Sequence, residues 1–182
     1  DLVDLPDAYK KRLTDVHYLA AIVIVLEMDR PLTQYYWMNI ADPDVPFLGL
    51  IEHTNMLPKE WYDGRNVLYL TNYLDRTDPL FSLSKDELLD LYLPHLTKFN
   101  PQFDRSWIKK VHYNALSAAQ PIIGTNYSKA IADHRTPVKK LYLANTTQIY
   151  PEDRGTNYSI KMGRELANMI VEDEQHDWKR WK

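Results

Sequence analysis

The residues of this chain best suited to hold a small molecule lie in its last third, in LYLANTTQIYPEDRGTNYSIKMGRELA. The loop PEDRG, at 151–155, leads into an amphipathic segment whose helix should start near Asn157. A helix start presents free backbone N–H groups and the positive end of its dipole. Asn157, Tyr158 and Ser159 occupy that start, where such groups stabilise electron density on a ring carbonyl or a phosphate. Ala144 and Asn145 close the apolar stretch ahead of the loop, where the backbone can approach a ligand. On pattern alone PEDRG reads first as a charged turn. Its place between a buried strand and a helix start favours ligand contact. A second candidate is the run Tyr35-Tyr36-Trp37. In a strand, Tyr35 and Trp37 share one face and Tyr36 takes the other. One face belongs to the core. The other lines an apolar substrate cleft or is surface left bare, which makes Tyr36 and Trp37 substrate-binding candidates.

Other chemistries lack their residues. The glycines at 49, 64, 124, 155 and 163 are scattered, so neither a P-loop nor a complete dinucleotide-binding motif is present. The histidines at 17, 53, 95, 112, 134 and 176 show no metal-ligand spacing, and no metal site is expected. A lone histidine such as His112 reads as a packed or surface residue. Ser117 sits in ALSAA without the glycine-flanked turn that exposes a serine nucleophile. Zero Cys excludes disulfides, thiolate zinc sites and a thiol nucleophile, and it fits a cytoplasmic protein. The net charge of −3 and pI near 6.1 give no footprint for nucleic acid. The longest apolar run, Tyr18 to Leu26, is far short of the ~20 residues that span a bilayer. The terminal cations Lys179, Arg180 and Lys182 read as a solvated tail.

These residues need a scaffold, and the chain announces one in alternating segments. A short helix is expected over Asp7 to Leu13. LAAIVIVLEM, rich in β-branched residues, predicts a strand at Leu19–Met28 covered on both faces. Further strands are expected at Tyr35–Ile40, Phe47–Glu52, Val67–Tyr73 and Val111–Leu116, with Asp63-Gly64 as a turn before the fourth. Leu88, Leu89, Leu91, Tyr92, Leu96 and Phe99 follow helical spacing. Ser84 with Glu87 forms a capping box, so that helix should run Lys85–Phe99, kinked near Asp90 or Leu91 by Pro94. A short helix before Pro137, a strand at Leu141 to Ala144 and the closing helix complete the chain. The expected class is α+β: an antiparallel or mixed sheet of about five strands with helices on one face. The expected organisation is one α+β region over 1–136, a strand–loop–helix over 137–173, and a tail over 174–182.

LYLANTTQIYPEDRGTNYSIKMGRELA resembles the C-terminal flavin-contacting motif of FAD-dependent oxidoreductases of the amine oxidase, phytoene desaturase and protoporphyrinogen oxidase superfamily. The usual motif has a strand ending in Gly-Asp or Gly-Glu, a loop, and a helix carrying a Gly-Arg pair. Ala144-Asn145 takes the place of the first pair and Gly163-Arg164 that of the second. The Asn at 145 lacks the carboxylate that relatives use toward the ribityl–phosphate side. The upstream strands, the helix opening SKDELL and the strand reaching AQP resemble the substrate domain of these enzymes. The resemblance implies FAD contacts from Ala144, Asn145, Arg154, Gly155, Thr156, Asn157, Tyr158 and Ser159. It implies a missing N-terminal dinucleotide-binding domain, and a first residue other than Met suits a segment of a longer gene. It also implies a small-molecule substrate, weak or no FAD binding by this chain alone, and self-association through the bared surface. No catalytic residue is singled out. Two classes stay open: an oxidoreductase portion of substrate domain plus closing flavin segment, and a non-catalytic α+β interaction module on the same scaffold.

Overall fold

Residues 3–175 are described by a computed structural model. The chain forms two compact units, one over Tyr18–Gln120 and one joining the stretch up to His17 to that from Pro121 onward. The terminal Lys179, Arg180 and Lys182, and His176, lie outside the described residues.

The unit over Tyr18–Gln120 is a five-stranded sheet with helical cover. Its strands are β1 (Tyr18–Met28), β2 (Trp37–Asn39), β3 (Gly49–Glu52), β4 (Asn66–Leu74) and β5, which starts at Ile108 and ends at Pro121. They lie in the order β2-β3-β4-β1-β5. The β2/β3, β3/β4 and β1/β4 ladders are antiparallel. Strand parity sets the core. Ile22, Ile24 and Leu26 of β1 stand opposite Asn72, Leu70 and Leu68 of β4, and Leu50 of β3 is also opposite Leu70. All but Asn72 are fully buried and apolar; the Asn72 amide donates to the Pro46 carbonyl at 2.9 Å, which satisfies it. The alternate residues Val23, Val25 and Glu27 are half-buried on the other face. β1 is therefore covered fully on one face only, not on both: its β-branched run masks a period-2 alternation.

The helix opening at Lys85 packs on that core face. The capping box forms as its sequence demands, with Ser84 Oγ accepting from Glu87 N and Glu87 Oε2 accepting from Ser84 N at 2.8 Å. This helix, α2, spans Lys85–Tyr92; α1, Asp7–Thr14, belongs to the other unit. Beyond it, Leu93–Lys98 continue as a 3-10 helix rather than a kinked α-helix. Pro94 has no N–H for the α ladder, and the tighter winding still buries Leu93 and Leu96. Leu88, Tyr92 and Leu96 share one buried cluster with Phe47, whose ring centroid lies 5.2 Å from that of Tyr92.

The other unit carries α1, α3 (Tyr127–Ala130) and the long α4 (Thr156–Gln175). The strand expected at Leu141 to Ala144 does not form. Arg135 and Tyr142 make one isolated bridge, with Leu143 N donating to His134 O at 2.8 Å and Thr136 N to Leu141 O at 3.2 Å. The segment doubles back on the residues around Pro137 through Lys140 at φ 67, so it has a single-bridge partner where a strand needs a ladder. Bidentate pairing of Arg135 with Asp173, at 2.7 and 2.8 Å, ties this hairpin to α4.

Candidate functional site

The flavin-segment candidates all fall in the unit that holds α4. Ala144 and Asn145 are exposed. The Asn145 side chain is occupied locally: its Oδ1 accepts from Thr147 N at 2.9 Å, while Gln148 Oε1 accepts from Asn145 N at 2.8 Å. This box caps a 3-10 turn at Thr146–Gln148. The chain from Gln148 to Tyr150 and the first turns of α4 then border a shared cavity of about 190 Å³, lined also by His134, Glu152, Tyr158, Lys161, Met162 and Glu165. Ala144 and Asn145 are not part of that lining.

At the entry to α4 the helix start itself favours negative charge, beside the carboxylates of Glu152 and Asp153 in the preceding loop. The helix has no acidic residue in its first turn. Ser159 N and Oγ both donate to Gly155 O, at 3.0 and 3.1 Å, which marks Gly155 as the last carbonyl before the helix. The N–H groups of Thr156, Asn157 and Tyr158 thus have no intrahelical acceptor. Arg154 precedes them, and its Nη1 is buried without a hydrogen-bond partner. A buried guanidinium nitrogen left unsatisfied costs roughly 1–3 kcal/mol or more, so an acceptor belongs beside it. Asp153 does not supply one; its carboxylate accepts from the Arg154 backbone N instead. A Cβ at position 155 would stand 2.6 Å from Asn157 Oδ1, so glycine lets the Asn157 side chain fold back over the loop. These residues suit an electron-rich group such as a ring carbonyl edge.

The substrate-binding candidates lie on the other unit. Trp37 is 55% and Tyr36 36% exposed, and Tyr35 is also exposed, so none of the three is core. Met38 and Ile40 pack on the core instead. β2 begins at Trp37, and the Tyr36 carbonyl just before it accepts from Glu52 N at the end of β3 at 2.8 Å. Trp37 stands opposite Ile51, and Ile51 opposite Tyr69. Across the open sheet face the series continues to Val25, which pairs with Tyr69. Burial and the neighbouring Tyr62 and Tyr36 hydroxyls raise the Tyr69 phenol above its ordinary range. His53 Nε2 and Tyr62 OH are 2.6 Å apart, and His53 packs edge-on against both Tyr62 and Tyr69. At the far side His112 Nε2 lies 2.7 Å from Glu27 Oε1, and that bond holds the Glu27 carboxyl below its usual range. Trp61, Tyr62, Tyr69, Val25, Val67, Asp63, Glu27 and His112 enclose a cleft of about 360 Å³.

Sequence reading missed one group outright. Glu52 is fully buried, with Oε2 accepting from Leu32 N and Thr33 N, both at 3.1 Å, and Oε1 unpartnered. Burial raises its carboxyl to about 7, against those two bonds. The signal was parity: Glu52 is two residues after Leu50 and shares its core-facing side. The Tyr62–Tyr69–His112 grouping had no sequence signal, since it is assembled from three separate segments. Among the described residues no group of His, Cys, Asp or Glu could hold a metal ion.

No protein-family model matches the sequence, and no curated protein matches it. Solved structures do. A protoporphyrinogen oxidase-like protein from Exiguobacterium sp. 255-15 superposes with TM-score 0.65 at 12% identity, over 88% of this chain and 36% of its own. An oxidoreductase from Methanosarcina mazei gives TM-score 0.60 at 16% identity, over 91% and 37%. A reduced UDP-galactopyranose mutase gives 0.53 at 14%, over 68% and 27%. What is shared is the fold. The chain spans little more than a third of the length of the first two.

Proposed function

We propose that this chain is a portion of an FAD-dependent oxidoreductase of the amine oxidase-like superfamily. The unit over Tyr18–Gln120 is the substrate-binding part, and residues 137–173 are the segment that closes the flavin site. The observation that carries the reading is Arg154: a guanidinium with a buried, unpartnered Nη1 at the free N-terminus of a 20-residue helix. Support comes from the closing motif of the sequence and from the shared fold with part of two oxidoreductases. FAD, when bound, supplies the redox chemistry by accepting a hydride from a C–H or C–N unit. The protein's own part is positional and electrostatic. Arg154 and the N–H groups of Thr156, Asn157 and Tyr158 hold negative charge at the helix start. Gly155 and Ser159 fix the loop that presents them. Tyr36 and Trp37 form an apolar rim for a small-molecule substrate. A cytoplasmic location belongs to this reading; among the described residues no helix is long and apolar enough to cross a membrane.

The test uses the full-length gene product. The parent should retain FAD through gel filtration, seen as flavin absorbance in the protein peak. Arg154→Gln should lower FAD affinity about tenfold, the loss of one charge-assisted hydrogen bond. A full-length protein that neither retains nor binds added FAD would refute this reading and leave the non-catalytic interaction module.

A further inference from the structure

The cleft on the open sheet face has a composition of its own. One wall is aromatic and held rigid: Tyr62 is fixed by its 2.6 Å contact with His53, and Tyr69 packs on the same imidazole. Trp61 borders the cleft with 70% of its surface exposed. Val25 and Val67 supply aliphatic floor. The polar end is the His112–Glu27 pair. The Glu27 carboxyl is held ionised below its usual range by His112, with Lys110 at 3.7 Å also favouring the anion. A carboxylate cannot donate, so the proton of the 2.7 Å bond sits on His112 Nε2. In the neutral ring, Nδ1 is then left as an acceptor. No described residue bonds to it.

We infer that this cleft binds a flat ring bearing an O–H or N–H donor, a phenol or an aromatic amine, whose hydrogen bond His112 Nδ1 accepts. Three aromatic side chains favour a ring by stacking or edge contact over an alkyl chain. A volume of about 360 Å³ suits a molecule of one or two rings. The rim carboxylate of Asp63 disfavours an anion, and the Glu27 charge is already met by Lys110 at 3.7 Å. Because His53 immobilises Tyr62 before any ligand arrives, little ordering entropy is lost on binding. The inference deepens the reading of this unit as a substrate-binding domain. It rests on that reading for the fate of the bound molecule, though not for binding itself.

The probes are p-cresol and toluene, which share ring and methyl group and differ by the hydroxyl. Each is titrated into the chain of residues 1–182 while the Trp61 indole and His112 imidazole signals are followed by NMR. The expected result is that p-cresol shifts both signals and binds at least fivefold more tightly than toluene. His112→Phe keeps a ring but removes the acceptor, and p-cresol should then bind no better than toluene. His112→Gln restores an acceptor and should recover part of the preference, which separates lost bonding from lost folding. Trp61→Ala should weaken both probes severalfold. Equal affinity for the two probes in the parent, or an unchanged preference in His112→Phe, would overturn the inference. Flavin retention by the full-length protein is a separate measurement, so the failure of either proposal leaves the other standing.

Discussion

Glu52 is a single side chain that ties stability to pH. Its folded carboxyl is raised to about 7 from an ordinary value of 4.5, so between those values the folded chain holds a proton that the unfolded chain has released. The stabilising contribution is complete below 4.5 and is lost as pH rises through 7. The size of the effect is on the order of 3 kcal/mol, from the difference between those two values. Urea unfolding of the parent should therefore show a stability falling from pH 5 to pH 8 on this account. Glu52→Gln, which keeps an acceptor for Leu32 N and Thr33 N, should flatten that slope. A slope that survives the substitution would place the titration elsewhere. Asn145→Asp is a second residue-scale test. A carboxylate caps the Thr146–Gln148 turn as an amide does, so stability should change by less than about 1 kcal/mol. On the proposed reading, FAD affinity of the full-length protein should hold or rise, because Asp restores the carboxylate of the motif that the sequence resembles. At this scale the sequence shows what is local in the chain. Arg154, Gly155 and the first turn of α4 stand together because they are consecutive. His112 and Glu27 meet across 85 positions, and no local pattern reports that.

Elements were legible where their signals are local, and less so where pairing decides. The α2 start is set by Ser84 and Glu87, both part of one box four residues long. Ser84→Ala should cost about 1 kcal/mol in chemical denaturation. Leu88→Ala, in the fully buried stripe of the same helix, should cost roughly 2–5 kcal/mol, with the larger values if the sheet cannot settle into the gap. A loss below 1 kcal/mol at Leu88 would mean that the helix contributes little to the core. The strand centres at β1, β3, β4 and β5 follow from alternation and β-branched content. Leu141 to Ala144 shows the limit of that reasoning. An apolar run is necessary for a strand, but a ladder also needs a partner, and here the backbone offered one bridge only. Likewise Pro94 was read as a kink, whereas the chain relieved the missing N–H by tightening to a 3-10 winding.

For the molecule as a whole, the α+β class and the five-stranded sheet were legible because five runs of strand-forming residues surround one strongly periodic helix. The division of labour between the flavin segment and the open sheet face stays a proposal with two consequences. The chain of residues 1–182 should bind FAD weakly, since it has no glycine-rich helix start for the diphosphate. Isothermal titration giving sub-micromolar affinity would contradict that. Exposed Ile122, Ile123, Ile160 and Val171 lie in the unit that holds α4, and sedimentation should reveal concentration-dependent association of this chain. The sheet itself carries a further liability. β5 is an edge strand of 14 residues. Its first half is guarded by Lys109 and Lys110, charges that deter a neighbouring chain from adding a strand. From Asn114 to Ala118 it is exposed and uncharged, with Leu116 62% open to solvent. That stretch is a template for intermolecular backbone pairing. Leu116→Lys should act as a gatekeeper, slowing thermal aggregation without lowering the unfolding midpoint, because the side chain it replaces is already in water.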